Sequence, residues 1–275
     1  MSWDARQRAM LAEMGLRVWT PAVVAVPVPQ AIAAADLPAA SPARTSLPIA
    51  AVQALPAALR LNPEQDRPER GARGPAIAQM GWEELRRSAA ECRACGLCGG
   101  RSNSVFGVGQ TTAQCLVVGE APGEQEDAQG EPFAGQAAQL LGNMLRAINL
   151  SLDQSPQAGI AAERQVYLSA ALKCRPPPGS TPGPDELQQC LPYLARQIEL
   201  LRPRIIVALG RLAVQTLLGS NEPLGRLRGR VHAYQGIPVI VSFPPSYLLR
   251  NLADKARAWE DLCLLRATLD GLAPP

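Results

Sequence analysis

Seven cysteines are spread over this chain of 275 residues, and four of them are placed where they could act on one centre. Cys92 and Cys95 are separated by two residues, so both sulfurs can reach a single metal centre from one turn of backbone. Cys174 and Cys190 form a second pair, separated by fifteen residues that include the proline-rich stretch RPPPGSTPGP to fold the chain back. Four thiolates suit either zinc or an iron–sulfur cluster. Cys98 lies close enough to Cys95 to compete as a ligand, and spacing alone does not exclude it. Cys115 and Cys263, each isolated, read as small buried hydrophobes. A second feature is the glycine-rich turn Gly119-Glu120-Ala121-Pro122-Gly123, which follows an apolar run and is followed by Glu124, Glu126 and Asp127, then by Glu131-Pro132-Phe133-Ala134-Gly135. A turn of this kind at the carboxyl end of a parallel strand is where open α/β sheets bind ligands. On its own the stretch reads more simply as a solvated acidic loop with Phe133 in the core.

The elements that must carry these groups follow from periodicity. Short, β-branched, apolar runs at Cys115–Val118, Val166–Leu168, Ile205–Leu209 and Val239–Ser242 predict four buried parallel strands. Helical spacing over Trp82–Ala94, Gln136–Ile148, Pro184–Leu201, Arg211–Leu218 and Lys255–Leu272 alternates with them. The expected fold is α/β, a three-layer sandwich with a central, mainly parallel four-stranded sheet flanked by helices. This globular part is expected over residues 79–275. Before it, residues 21–78 are so rich in alanine and proline that neither helix nor ladder can propagate, which predicts a disordered arm. Residues 1–20 carry Met10, Leu11, Met14, Leu16 and Val18 in the pattern of a short amphipathic helix. The balance of 27 Lys+Arg against 24 Asp+Glu permits a nucleic-acid partner without requiring one. No apolar run reaches bilayer-spanning length and the first residues are polar, so a cytoplasmic protein with no membrane partner is expected. In a reducing compartment, clustered cysteines point to metal or redox chemistry and not to disulfides.

Taken together, the segments closely resemble the family 4 uracil-DNA glycosylases, the iron–sulfur members of their superfamily. The agreement runs from about Trp82 to Leu272 through CRAC at Cys92, VFGVG at Val105, VVGEAPGEQED at Val117, GEPFAG at Gly130, VYLSAALKCRPP at Val166, PDELQQC at Pro184 and PPSYLLRN at Pro244. The resemblance makes Cys92, Cys95, Cys174 and Cys190 the ligands of a 4Fe–4S cluster that organises a DNA-facing surface, and it sets Cys98 aside. It implies a DNA glycosylase acting on single- or double-stranded DNA, which flips the damaged nucleotide out and breaks its N-glycosidic bond. Phe133 matches the ring on which the base stacks. Glu120-Ala121-Pro122-Gly123 matches the water-activating turn, with Glu120 and Glu126 to position water or stabilise the sugar cation. Ser246, Leu248, Leu249 and Arg250 match the loop that enters the minor groove, the leucines as wedges and Arg250 as a phosphate contact. Arg226, Arg228 and Arg230 add a phosphate clamp.

Three positions depart from the family pattern. Pro244 stands where a histidine would donate a hydrogen bond to the departing uracil. Ala170 stands where an asparagine would read the base edge, and Gly179 replaces a further asparagine. His232, the chain's single histidine, falls outside that position, in what reads as an exposed turn. Losing one preorganised donor costs about 3–4 kcal/mol of transition-state stabilisation, a factor of roughly 10²–10³ in rate. Two functions therefore stand side by side: a glycosylase removing uracil or a related deaminated base, and a catalytically impaired lesion-sensing DNA-binding module of the same fold. The chain is expected to be a monomer whose arm recruits another repair protein.

Overall fold

A computed structural model describes residues 73–152 and 164–272 of the chain. The helix expected over residues 1–20, and the arm as far as residue 72, lie outside the described residues. The described residues begin at Arg73, ahead of residue 79. Residues Gly74–Ile77 form a helical turn, α1, that buries Ile77 with Leu85, Ala89, Phe106 and Tyr193. Helix α2, Trp82–Glu91, ends three residues earlier than its periodicity predicts, because Cys92 turns to an extended conformation. Cys92 and Cys95 are thereby released into a loop, followed by a 3₁₀ turn at Gly96–Gly99.

Six strands form one sheet: β1 Val108–Gly109, β2 Cys115–Gly119, β3 Val166–Ala170, β4 Ile205–Leu209, β5 Val231–Tyr234 and β6 Ile237–Ser242, in the order β1-β3-β2-β4-β6-β5. The four strands expected from the sequence are its parallel centre, paired β3–β2, β2–β4 and β4–β6. The expected count of four is corrected to six by antiparallel additions at both edges. β1 is two residues long and leaves no pattern. β5 alternates exposed and covered residues after an arginine-rich stretch, so it reads as a turn, and His232 sits within it opposite Val239.

Helices α3 Glu124–Gln129, α4 Gly135–Ala147, α5 Pro184–Leu201, α6 Arg211–Leu218, α7 Leu224–Leu227, α8 Pro245–Arg250 and α9 Lys255–Gly271 complete the order. Side chains alternate across each strand. Leu116, Val118, Ile206, Ala208, Val239 and Val241 therefore meet α5 and α6 on one face. α9 lies against β6 on the other, where Asp261 reaches Ser242. Among the described residues no helix is long and apolar enough to cross a membrane.

Candidate functional site

Four parallel strands end at the same edge of the sheet, and the chain leaves β2 and β4 in opposite directions, which opens a crevice between their carboxyl ends. Glu120 follows β2 directly into this crevice. Its Oε1 accepts the Leu212 amide at 3.2 Å, at the start of α6, while Oε2 has no hydrogen-bond partner among the described residues. The carboxylate fits only because position 210 is glycine: φ is +102°, and a Cβ there would lie 2.4 Å from the Glu120 carboxyl carbon. Glu126 is committed at both ends, with Oε2 accepting the Gly123 amide at 3.1 Å and Oε1 the Ala134 amide at 2.9 Å. It thus holds the two ends of the loop that carries Phe133.

Phe133 has a left-handed backbone, φ 60°, and its half-buried ring reaches the last residue of β2 with its Cζ end, where a Cβ on Gly119 would be 2.7 Å from that atom. Ala170 pairs with Gly119 in register and is buried. Pro244 follows β6 at the same edge, and its carbonyl accepts the amides of Tyr247 and Leu248, so it opens α8. The structure thus brings Glu120, Phe133, Ala170 and Pro244 to one edge. The stretch matched to a minor-groove loop is a helix, α8, and it separates the two expected wedges. Leu248 is wholly buried, whereas Leu249 is at the surface beside exposed Ser246 and Arg250 and lines an open groove with Glu124, Gln125 and Gln136. Leu252, just beyond, is also exposed.

Arg228 is not a free phosphate ligand. Its side chain is 11% exposed, and the guanidinium is paired with Asp261 at 3.0 Å and Glu260 at 3.3 Å, bonded to the Arg257 carbonyl and placed over the Phe243 ring. Arg226 and Arg230 are the exposed members of that turn. Burial raises the Asp261 carboxyl above its ordinary range despite the Ser242 hydroxyl and Arg228, and this network fastens the end of β6 to α9. His232 Nε2 lies 2.6 Å from the Leu227 carbonyl, remote in role from the crevice.

The thiols converge. Cys92, Cys95, Cys174 and Cys190 line one small cavity together with Arg101, Lys173, Gln189 and Tyr193, and Cys98 is not among its walls. Cys95, Cys174 and Cys190 share an apolar cluster with Ala121, Leu172 and Leu212, so the cavity abuts the turn at Glu120. Burial pushes the Cys190 thiol up to about 12 and raises Cys174. Burial also works to raise Cys92, but the Ala94 amide and Arg73 outweigh it and leave that thiol below its ordinary value. Cys115 is inside the sheet, its thiol pushed up to about 12 by burial, and Cys263 is exposed on α9.

Sequence reasoning missed the polar groups behind this edge. Lys173 is buried, its ammonium surrounded by the Phe106 and Ala170 carbonyls, the Ser169 hydroxyl and Gln197 Oε1 at 2.7–3.1 Å, and burial lowers it to about 8. Asp127 is buried and accepts the amides of Ser102 and Asn103. Both stand in motifs already named, Lys173 beside Cys174 and Asp127 at the end of VVGEAPGEQED, but their burial and partners were not legible there, since the partners of Asp127 are 24 and 25 residues away in sequence.

With this geometry in view, the likenesses to known proteins are informative. The family model described as the uracil DNA glycosylase superfamily matches residues 106–263. A type-4 uracil-DNA glycosylase of Archaeoglobus fulgidus is 37% identical over 175 residues, covering 61% of this chain and 82% of the relative. Another from Thermotoga maritima is 40% identical over 169 residues with the same coverage. A third, from Pyrobaculum aerophilum, is 34% identical over 195 residues, covering 67% of this chain and 93% of the relative.

Proposed function

The chain belongs to the uracil-DNA glycosylase superfamily, in its type-4 branch, and from that premise we propose that it is a DNA repair glycosylase that removes uracil or a related deaminated base. The observation that carries this reading is the Phe133 ring on the backbone of Gly119. A half-buried aromatic ring at this edge offers stacking surface for an extruded base beside a turn whose carboxylates are fixed in place. In the reaction the bond from the sugar to the base nitrogen breaks and the base leaves with the electron pair. Water then adds to the cationic sugar and gives up a proton, leaving an abasic site.

Glu120 is the residue for that water, because one of its oxygens has no partner among the described residues and the other is anchored. Glu126 acts as scaffold for the Phe133 loop, and Ala121 joins the turn to the thiol cavity. Ala170 and Pro244 complete the base site without a side-chain donor. Leu249 is the wedge and Arg250, with Ser246, the phosphate contact; Leu248 supports them from the core.

Cys92, Cys95, Cys174 and Cys190 would hold a 4Fe–4S cluster. They line one cavity, as the four thiolate ligands of such a group would, and the type-4 relatives favour the cluster over zinc. When bound, the cluster supplies structural organisation to the loops that face DNA. The protein acts as a cytoplasmic monomer on single- or double-stranded DNA, and its N-terminal arm recruits a repair partner.

Cluster-loaded protein should convert oligonucleotides carrying uracil, hypoxanthine or xanthine to abasic products, and Phe133→Ala should weaken binding and cleavage together. The donorless positions Ala170 and Pro244 favour a second reading, a lesion-binding module. Retained binding with no abasic product from any of the three bases would establish it in place of the enzyme.

A further inference from the structure

We infer that Arg73 and Arg101 are outer-sphere residues of the thiol centre: each donates to one ligand sulfur, ties it to the segment bearing another ligand, and so holds the cluster and sets its reduction potential. The inference rests on the iron–sulfur reading above. Arg73 Nη1 donates to Cys92 Sγ at 3.3 Å, while its Nη2 donates to the Gln189 carbonyl at 3.0 Å and to Gln189 Oε1 at 3.3 Å, next to Cys190. Arg101 Nη1 donates to Cys174 Sγ at 2.8 Å, and its Nη2 to the carbonyls of Cys92 and Ala90. The Lys173 amide, adjacent to Cys174, donates to Cys190 Sγ at 3.3 Å. These bonds close a ring through the segments at Cys92, Cys174 and Cys190, which are far apart in sequence.

Two guanidinium groups in this ring have a clear electrostatic use. Four thiolates gathered at one cavity repel one another, and arginine remains charged in any protein environment. Its donors make charge-assisted bonds to sulfur, and hydrogen bonds to cluster sulfurs are among the terms that set a cluster's potential. Outer-shell donors of this kind also fix ligand orientation before the metal arrives.

The position of Arg101 is itself determined from the catalytic side. The next two residues, Ser102 and Asn103, give their amides to Asp127 at 2.9–3.3 Å, and Asn103 Nδ2 donates to the Asp127 and Ala128 carbonyls. Asp127 is on α3, whose Glu126 holds the Phe133 loop. Arg101 therefore fastens the thiol cavity to the helix beside the base platform. Both arginines precede residues 106–263, which the family model covers.

The test uses full-length protein reconstituted anaerobically, comparing wild type with Arg73→Gln, Arg101→Gln and Arg101→Lys, and with Cys98→Ala as a control outside the ring. Iron and sulfide per chain, the rate at which a chelator bleaches visible absorption, and the midpoint potential are read, with far-ultraviolet circular dichroism to check folding. Both glutamine variants should lose the chromophore roughly 10-fold faster or more and shift to a more negative potential. Arg101→Lys should fall between them and wild type, and it carries the comparison if Arg101→Gln does not fold. Wild-type bleaching rates and potentials in folded, iron-loaded arginine variants would overturn the inference alone. Wild-type protein that binds no iron and sulfide would overturn it together with the cluster reading.

Discussion

Pro244 can be exchanged with little disturbance to its surroundings, which makes it a sharp probe of chemistry. Its contribution to α8 is a carbonyl that accepts two amides, and its φ of −63° and ψ of 143° lie in the extended region that any residue preceding a proline prefers. A histidine there would keep the carbonyl and add a donor at the crevice. Pro244→His should raise uracil excision by as much as roughly 10²–10³-fold, measured as abasic product under single turnover. Adding Ala170→Asn should sharpen selectivity for uracil over hypoxanthine. No change from either substitution in a protein that already cleaves would place the chemistry on Glu120 alone. The identity of these residues was legible in the sequence because each sits in a short contiguous motif at a strand end. Their partners were not legible. That Glu120 reaches the start of α6, and that Glu126 bridges Gly123 and Ala134, depends on tertiary closure and on the missing side chain of Gly210.

α3 shows how an element can matter more than its length suggests. It spans only Glu124–Gln129, yet its buried Asp127 anchors the loop from Ser102 to Asn103. Burial works to raise this carboxyl, but the amides of Ser102 and Asn103 and the charge of Arg175 outweigh it, leaving the folded value below the ordinary 3.9 or so. The stability contributed by the ionised group is therefore present above about pH 4 and lost as pH falls through the lower folded value. Asp127→Asn should cost roughly 1.5–3 kcal/mol at pH 7, read from urea midpoints, and the gap to wild type should narrow near pH 3. An equal gap at both pH values would mean that the charge is not what holds the loop. Long periodic elements such as α5 and the central strands declared themselves in the sequence. α1, α3, α7, α8, β1 and β5 did not, since none is long enough to repeat a hydrophobic pattern, and the wedge role that the family resemblance implies for Leu248 supposes a loop where the chain forms α8 and buries that side chain.

For the molecule as a whole, the start of the folded unit decides what can be removed. A chain beginning at Arg73 should fold and bind DNA as the full chain does. One beginning at Gln79 loses Ile77 from its core and Arg73 from Cys92, and should melt roughly 5–10 °C lower. Equal melting temperatures for the two would place the boundary at 79 after all, as composition suggests. Composition marks where prolines thin out, whereas Ile77 and Arg73 are held by partners as far along the chain as Tyr193 and Gln189. The strand order has a separate consequence for a chain that leaves the ribosome from its N-terminus. β2, wholly apolar, emerges early but takes neighbours on both sides only when β3 and then β4 have followed. Until then its backbone edges are open to other chains. All four thiols of the cavity precede β4 in the chain, so the gathering of cysteines is available as a long-range closure before the sheet's centre is complete. On the iron–sulfur reading proposed above, iron supply during synthesis should therefore influence how much of this protein escapes aggregation.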